Sequence, residues 1–305
     1  MTEKERNPAP FHTLRAPAYF VLQEAENRDK IQKTIQRGTM NTFKRIGVFD
    51  SGLGGLTVLD AICSANKGLS IVYFGDTARV PYGSRTPETI VRYAEQDVRF
   101  LLSKGVEAIV VACGTVSAIA LTELRKRFSI PIVGVIEPAC DAAAKLTESN
   151  HICVIGTEAT VHSQAYSDYI NQKYPNLNVS GIGCPLFVPL IENGFREDDP
   201  ITQMTVERYL SPIRNTDIDT LILGCTHYPF LSNVIQKTLP GVHLVNIGVA
   251  LSEVVAETIS LPNNISDNFV EYCFSDRETG FKRFDTEHLK NLPNGPIKAV
   301  NIESF

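Results

Sequence analysis

The runs "IVVACGTVSA" (109–118) and "LILGCTHYPF" (221–230) each carry a β-like apolar stretch into a cysteine, with a threonine one or two residues further on. A thiolate is a base as well as a nucleophile, with an ordinary pKa near about 8.5 that neighbours shift. One cysteine beside one histidine would suggest covalent acyl transfer. Two cysteines on opposite sides of one carbon suggest another reaction. One removes a proton from one face and the other returns a proton to the opposite face, which inverts a stereocentre without a cofactor. Asp50, in "FDSGLGG", is placed to poise one thiol, and His227, two residues past Cys225, to poise the other. The glycines and hydroxyls around them offer N–H and O–H donors for a carboxylate.

The remaining cysteines read differently. Cys63, Cys140, Cys153 and Cys273 are expected to be small apolar filler, and Cys184, at a strand end before Pro185, to be structural. There is no CxxC pair, and only Cys140 and Cys153 fall within fifteen residues of one another, so no metal is expected. "GLGG" lacks both the GxGxxG pattern and the lysine of a phosphate loop, which argues against a nucleotide.

Alternating strands and helices must hold these residues. Apolar runs at 45–50, 70–76, 108–113 and 131–136 predict four strands, and 86–105 opens on Thr-Pro and ends at Gly105 as a helix should. A helix is expected over 116–128. The series then restarts with strands at 151–156, 178–184, 219–225 and 242–247, and helices over 157–174, 202–214 and 229–239. Strand 45–50 maps onto 151–156 and 108–113 onto 220–225, a weak internal duplication. The expected fold is α/β: two pseudo-symmetric α/β lobes with mostly parallel sheets and the active site in the cleft between them. In open parallel sheets ligands bind at the carboxyl ends of strands, where Asp50, Cys113 and Cys225 all fall.

Composition narrows the partners. With 305 residues, 43% hydrophobic, 21% charged and net charge −5, the chain has no basic surplus for nucleic acid or an anionic membrane. No run approaches the roughly 18 apolar residues of a membrane span. Residues 1–40 carry charges throughout and lack the apolar core of a secretory signal, so unpaired cysteines in the cytosol are expected. The segment 1–42 is expected to be a mobile extension, or to lie upstream of a natural start at Met40, rather than a regulatory arm.

The motifs "VFDSGLGGLTVL", "YFGDTARVPYGSRTPETI", "VACGTVSA", "GVIEPA", "GTEATVHSQAY", "CPLFVPLIENG" and "LGCTHYPFL" together resemble the glutamate racemases of the aspartate/glutamate racemase superfamily, in order and spacing, from about Ile46 to about residue 250. The resemblance implies a cofactor-independent interconversion of L- and D-glutamate that supplies peptidoglycan. It implies that Cys113 and Cys225 are the catalytic thiols and that Asp50 and His227 assist them. Ser51, Tyr82, Gly83, Thr115 and Thr226 are implied as substrate contacts beside Asp50 and His227. It further implies a homodimer, and lobes made of 43–138 plus 249–305 and of 139–248. Two positions depart from the family pattern: Gly114 replaces an asparagine that contacts substrate, and Asn246-Ile247 replaces an Asp-Ser pair near the cleft. A lost hydrogen bond to a charged group costs roughly 1.5–3 kcal/mol, so on this pattern Gly114→Asn is expected to raise glutamate turnover. The rival readings are a racemase of another amino acid such as aspartate, and a homologue with a binding role and little turnover.

Overall fold

Strands with every residue buried need cover on both faces, and β1 (Ile46–Asp50), β3 (Ala108–Val111) and β7 (Thr220–Leu223) are buried end to end. The computed structural model describes residues 45–258, 267–276 and 288–305; the segment 1–42, read above as an extension, lies outside them. The chain runs β1, α1 (Leu56–Ala65), β2 (Ser70–Gly75), α2 (Pro87–Ser103), β3, α3 (Gly114–Ile119), α4 (Leu121–Arg127), β4 (Ile132–Gly134) and α5 (Ile136–Leu146). It continues through β5 (His151–Gly156), α6 (Glu158–His162), α7 (Ala165–Lys173), β6 (Asn178–Gly183), α8 (Phe187–Glu192), α9 (Pro200–Leu210), β7, α10 (Ser232–Thr238), β8 (His243–Asn246) and α11 (Ile247–Thr258). Then β9 (Phe269–Phe274) and β10 (Ile297–Ala299) return to the first sheet, on the outer side of β2.

All strand pairs among the described residues are parallel, and the orders are β10-β9-β2-β1-β3-β4 and β6-β5-β7-β8. Without β9 and β10 the two orders are the same, position for position, so the duplication seen as a weak sequence echo is a repeated topology. In each sheet the chain reverses its direction of winding beside β1 and β3, or β5 and β7. Such a reversal opens a crevice at the strands' carboxyl ends, because the connections on its two sides leave toward opposite faces. The two sheets share a core: Val48 of β1, Ala139 of α5, Ile222 of β7 and Leu251 of α11 belong to one buried apolar cluster.

Local signals explain where helices start and stop. The α2 helix has Thr86 as its cap, accepting from Thr89 N at 3.4 Å, with Pro87 first in the helix and Glu88 in its first turn. Its inner stripe is Ile90, Ala94, Val98 and Leu101, and Gly105 ends it at φ 71. The helix expected over 116–128 is instead α3 and α4, meeting at Ala120. The one expected over 157–174 is α6 and α7, separated by Gln164 in the left-handed region at φ 58. Apolar spacing carries on through both breaks, which is why periodicity misses them. The stretch 229–239 begins as a 3-10 turn, Tyr228–Leu231, before α10.

The second departure from the family pattern has a structural account away from the reacting groups. Asn246 Oδ1 accepts from Gly248 N at 2.8 Å and Val249 N at 3.3 Å, capping α11, while Ile247 is fully buried in the shared core. Asparagine caps a helix as well as aspartate does, so this change leaves the fold's support intact.

Candidate active site

The cleft is built from the turns that follow β1, β3, β5 and β7. Cys113 is the residue before α3 and Cys225 lies just past β7, so both thiols stand beyond their strands rather than at the last paired residue. Both side chains are nearly closed off, at 4% and 7% exposure. The segments that carry them touch. A Cβ placed on Gly114 would lie 2.2 Å from the Gly224 carbonyl oxygen and 3.7 Å from Cys225 Cα. Glycine at 114 is what lets the two backbones meet, and that bears on the first departure from the family pattern: asparagine at 114 would strike backbone, not fill a gap.

Each thiol has its own polar partner. The Cys113 thiol donates to Ser51 Oγ at 3.5 Å. Burial, followed by the charge of Asp50, pushes the Cys113 thiol up to about 12, with the Ser51 hydroxyl pulling the other way. Cys225 Sγ lies 3.8 Å from His227 Nδ1, and His227 Nε2 lies 2.6 Å from Glu192 Oε1 at the end of α8. Burial opposes a charge on this imidazole, but hydrogen bonds to the Cys225 sulfur and the Glu192 carboxylate outweigh it and push His227 up to about 10. Cys113 is therefore a neutral thiol at neutral pH, while Cys225 faces an imidazolium.

Asp50 acts on Cys113 through its charge. Its carboxylate does not hydrogen-bond either thiol directly: Oδ2 accepts from Gly52 N at 2.9 Å, and Oδ1 accepts from Thr226 Oγ1 of the other lobe at 3.4 Å. Burial raises its pKa, opposed first by the nearby His227 charge. Gly54, in the loop that superficially resembles a phosphate loop, makes room for that arrangement. A Cβ there would lie 2.4 Å from the His227 ring and from Thr226 Oγ1.

The other expected contacts divide. Ser51 and Thr226 lie beside the thiols as described. Thr115 Oγ1 crosses the cleft to Thr157 Oγ1 at 3.0 Å and Thr160 Oγ1 at 3.4 Å, and Gly83 packs against the same Thr157 side chain. The Tyr82 hydroxyl points away from this group, into a buried ion network in which it bonds Asp76 and approaches Asp97 at 3.4 Å. Arg79 completes that network through Asp76 at 2.5 Å and Asp97 at 3.2 Å. The Tyr82 phenol is thus held in that network, and the neighbouring Gly83 is the part of this turn that meets Thr157. Sequence reasoning missed Glu192, which stands inside a quoted motif, because nothing local marks it; its role depends on α8 crossing beside His227. Thr157 and Thr160 had a usable signal, a Thr-rich turn after a strand.

A pH prediction arises here. His227 has a folded-state pKa above its ordinary 6.5, so the stabilisation it gains is fully present below 6.5 and is lost as pH rises through about 10. Glu192→Gln removes one of the groups that raise it. Its stability deficit in urea unfolding should be largest on the acid side of that window and should fade at its alkaline end. The alkaline limb of its pH–rate profile should move to lower pH. A deficit that grows toward high pH would rule out this reading of the pair.

Two parallel-sheet lobes that bring Cys113, beside Ser51, and Cys225, beside His227, onto touching segments define a candidate acid–base site. The chain belongs to the Asp/Glu/Hydantoin racemase family, whose model matches residues 46–253. It is 44% identical over 268 residues to the glutamate racemase of Geobacter metallireducens, covering 86% of this chain and 98% of that protein. Among solved structures it is similar to the glutamate racemase of Francisella tularensis in complex with D-glutamate, at TM-score 0.77 and 34% identity, over 87% of this chain and 100% of that one. It is also similar to the Thermus thermophilus glutamate racemase in complex with β-chloro-D-alanine, at TM-score 0.76 and 37% identity, over 87% of this chain and 99% of that one. No helix among the described residues is long and apolar enough to cross a membrane.

Proposed function

We propose that this chain interconverts L- and D-glutamate by moving one proton off, and another onto, the α-carbon between Cys113 and Cys225. The observation that carries the reading is the placement of the two thiols at topologically equivalent positions, just past β3 and β7, on segments that touch across the cleft. A thiolate on one side takes the α-proton and becomes a thiol; the thiol on the other side gives its proton to the carbanion and becomes a thiolate. Ser51 on one side and His227 with Glu192 on the other hold the sulfurs in place and balance their charge. Asp50, Thr115, Thr226 and the Tyr82–Gly83 turn are the groups positioned to bind the amino acid.

Glutamate is favoured over aspartate because the relatives and solved structures with which the chain shares a third or more of its residues over nearly their whole length are glutamate racemases. Retention of both thiols with Asp50 and His227 argues against a purely binding homologue. The reading extends to lobes of 43–138 plus 249–305 and of 139–248, a cytoplasmic homodimer, no cofactor, and D-glutamate destined for peptidoglycan. Incubation with L-glutamate in D₂O tests it. Deuterium should enter the α-position as D-glutamate accumulates, and activity should survive EDTA and carbonyl reagents. Exchange with aspartate but not glutamate would transfer the reading to the rival substrate.

A further inference from the structure

Six tyrosines are buried among the described residues, and five of them donate through the phenol: Tyr73 to Gly52 O at 2.8 Å, Tyr82 to Asp76, Tyr169 to Asp141 at 2.9 Å, Tyr228 to Cys184 O at 3.1 Å and Tyr272 to Pro293 O at 2.7 Å. The sixth, Tyr166, is 3% exposed, and its hydroxyl has no hydrogen-bond partner among the described residues. A buried hydroxyl without a partner is destabilising, and phenylalanine would fill the same space without that cost. The hydroxyl therefore calls for an explanation other than folding.

Its direction supplies one. The left-handed Gln164 breaks the helix just before α7, and Tyr166 packs with Cys140 and Val154 in the core shared by the lobes. The phenol oxygen lies 3.3 Å from where a Cβ on Gly224 would stand. Gly224 precedes Cys225, and its carbonyl is the atom against which Gly114, the residue after Cys113, is packed. The hydroxyl thus ends beneath the point where the two thiol-bearing segments meet. Burial, and then charge on Cys140, Cys225 and Cys113, hold this phenol well above its usual range, so it remains a neutral O–H donor.

We propose that Tyr166 is a catalytic residue of the racemisation, its hydroxyl donating a hydrogen bond to the α-carboxylate of the amino acid bound between Cys113 and Cys225. The inference rests on the racemase reading above. The α-carboxylate rather than the α-ammonium takes the Gly224 side of the cleft, because an unpaired O–H donates and of these two groups only the carboxylate accepts. When the α-proton leaves, its electron pair spreads onto this carboxylate. A donor already aimed there binds the transition state more strongly than the ground state and keeps its own proton throughout.

Tyr166→Phe separates this role from packing. The variant should melt at or above the wild-type temperature. Its kcat with glutamate should fall about ten- to a hundredfold, the range for a hydrogen bond to a charged group, with KM changed less than about threefold. The α-deuterium isotope effect on kcat should increase, because proton removal then limits turnover more fully. A kcat within about twofold of wild type overturns the proposal. So does a loss of activity with a lowered melting temperature or a failure to fold, since either would mean that the hydroxyl holds the structure together. If the unsubstituted protein introduces no deuterium from D₂O into glutamate, the racemase reading fails first, and this inference falls with it.

Discussion

Cys113→Ala and Cys225→Ala are each expected to lower racemisation of glutamate by at least about a thousandfold, the upper part of the range for losing a positioned acid or base. Each should leave the fold intact. Both thiols are buried, but their partners are a serine hydroxyl of the same lobe and an imidazole two residues along the chain, and neither sulfur is a large part of its apolar cluster. The expected change in melting temperature is a few degrees, consistent with removing one small buried atom. The loss should be of inversion above all. Each variant keeps one base on one face of the α-carbon, so residual α-deuterium exchange in D₂O should favour one enantiomer, and the opposite enantiomer in the other variant. Chiral separation together with proton NMR measures both. A single variant that still racemises near the wild-type rate would show that one thiol suffices.

Gly114→Asn is expected to lower kcat/KM for glutamate by about a hundredfold, with Gly114→Ala losing about tenfold. This reverses the expectation drawn from the family pattern, in which asparagine restores a donor to the site. A Cβ at 114 would lie 2.2 Å from the Gly224 carbonyl oxygen, and that oxygen belongs to backbone held by a hydrogen bond from Gly224 N to Ile155 O at 2.8 Å. Overpacking against backbone costs about 1–3 kcal/mol, equivalent to roughly five- to 150-fold if it is all felt where the thiols must align. The graded pair of variants is the check, because strain grows with the side chain while a missing donor would be repaired only by asparagine. Loss with alanine followed by recovery with asparagine would reinstate the missing-donor account.

Much of the fold was open to reading from residues alone. Strands β1, β3 and β7 are largely apolar and buried end to end, and cover on both sheet faces leaves few other ways to satisfy that pattern. The principal site residues were legible for a related reason. Aspartate and histidine at the ends of such runs are costly to bury without a use, and the carboxyl ends of parallel strands, where Cys113 and Cys225 also fall, are where a crevice opens. Helix breaks were not legible. Ala120 and Gln164 interrupt helices while the apolar spacing runs on, because a turn at one residue leaves little trace in a periodic pattern.

Contacts between distant segments lay beyond the sequence. The pairing of Glu192 with His227, the turning of the Tyr82 phenol toward Asp76 and the solitary Tyr166 hydroxyl depend on how helices and loops pack within a lobe, and the crossing of Asp50 to Thr226 on how one lobe meets the other. Gly114 shows the difference most sharply. Its identity is plain in "VACGTVSA", yet whether it is a lost donor or a required clearance depends on an oxygen 110 residues further along the chain, at Gly224. Local patterns reflect the covalent period of strand and helix. The distance between Gly114 and Gly224 is set by the packing of two sheets about a common core, a sum over many side chains that no single motif contains.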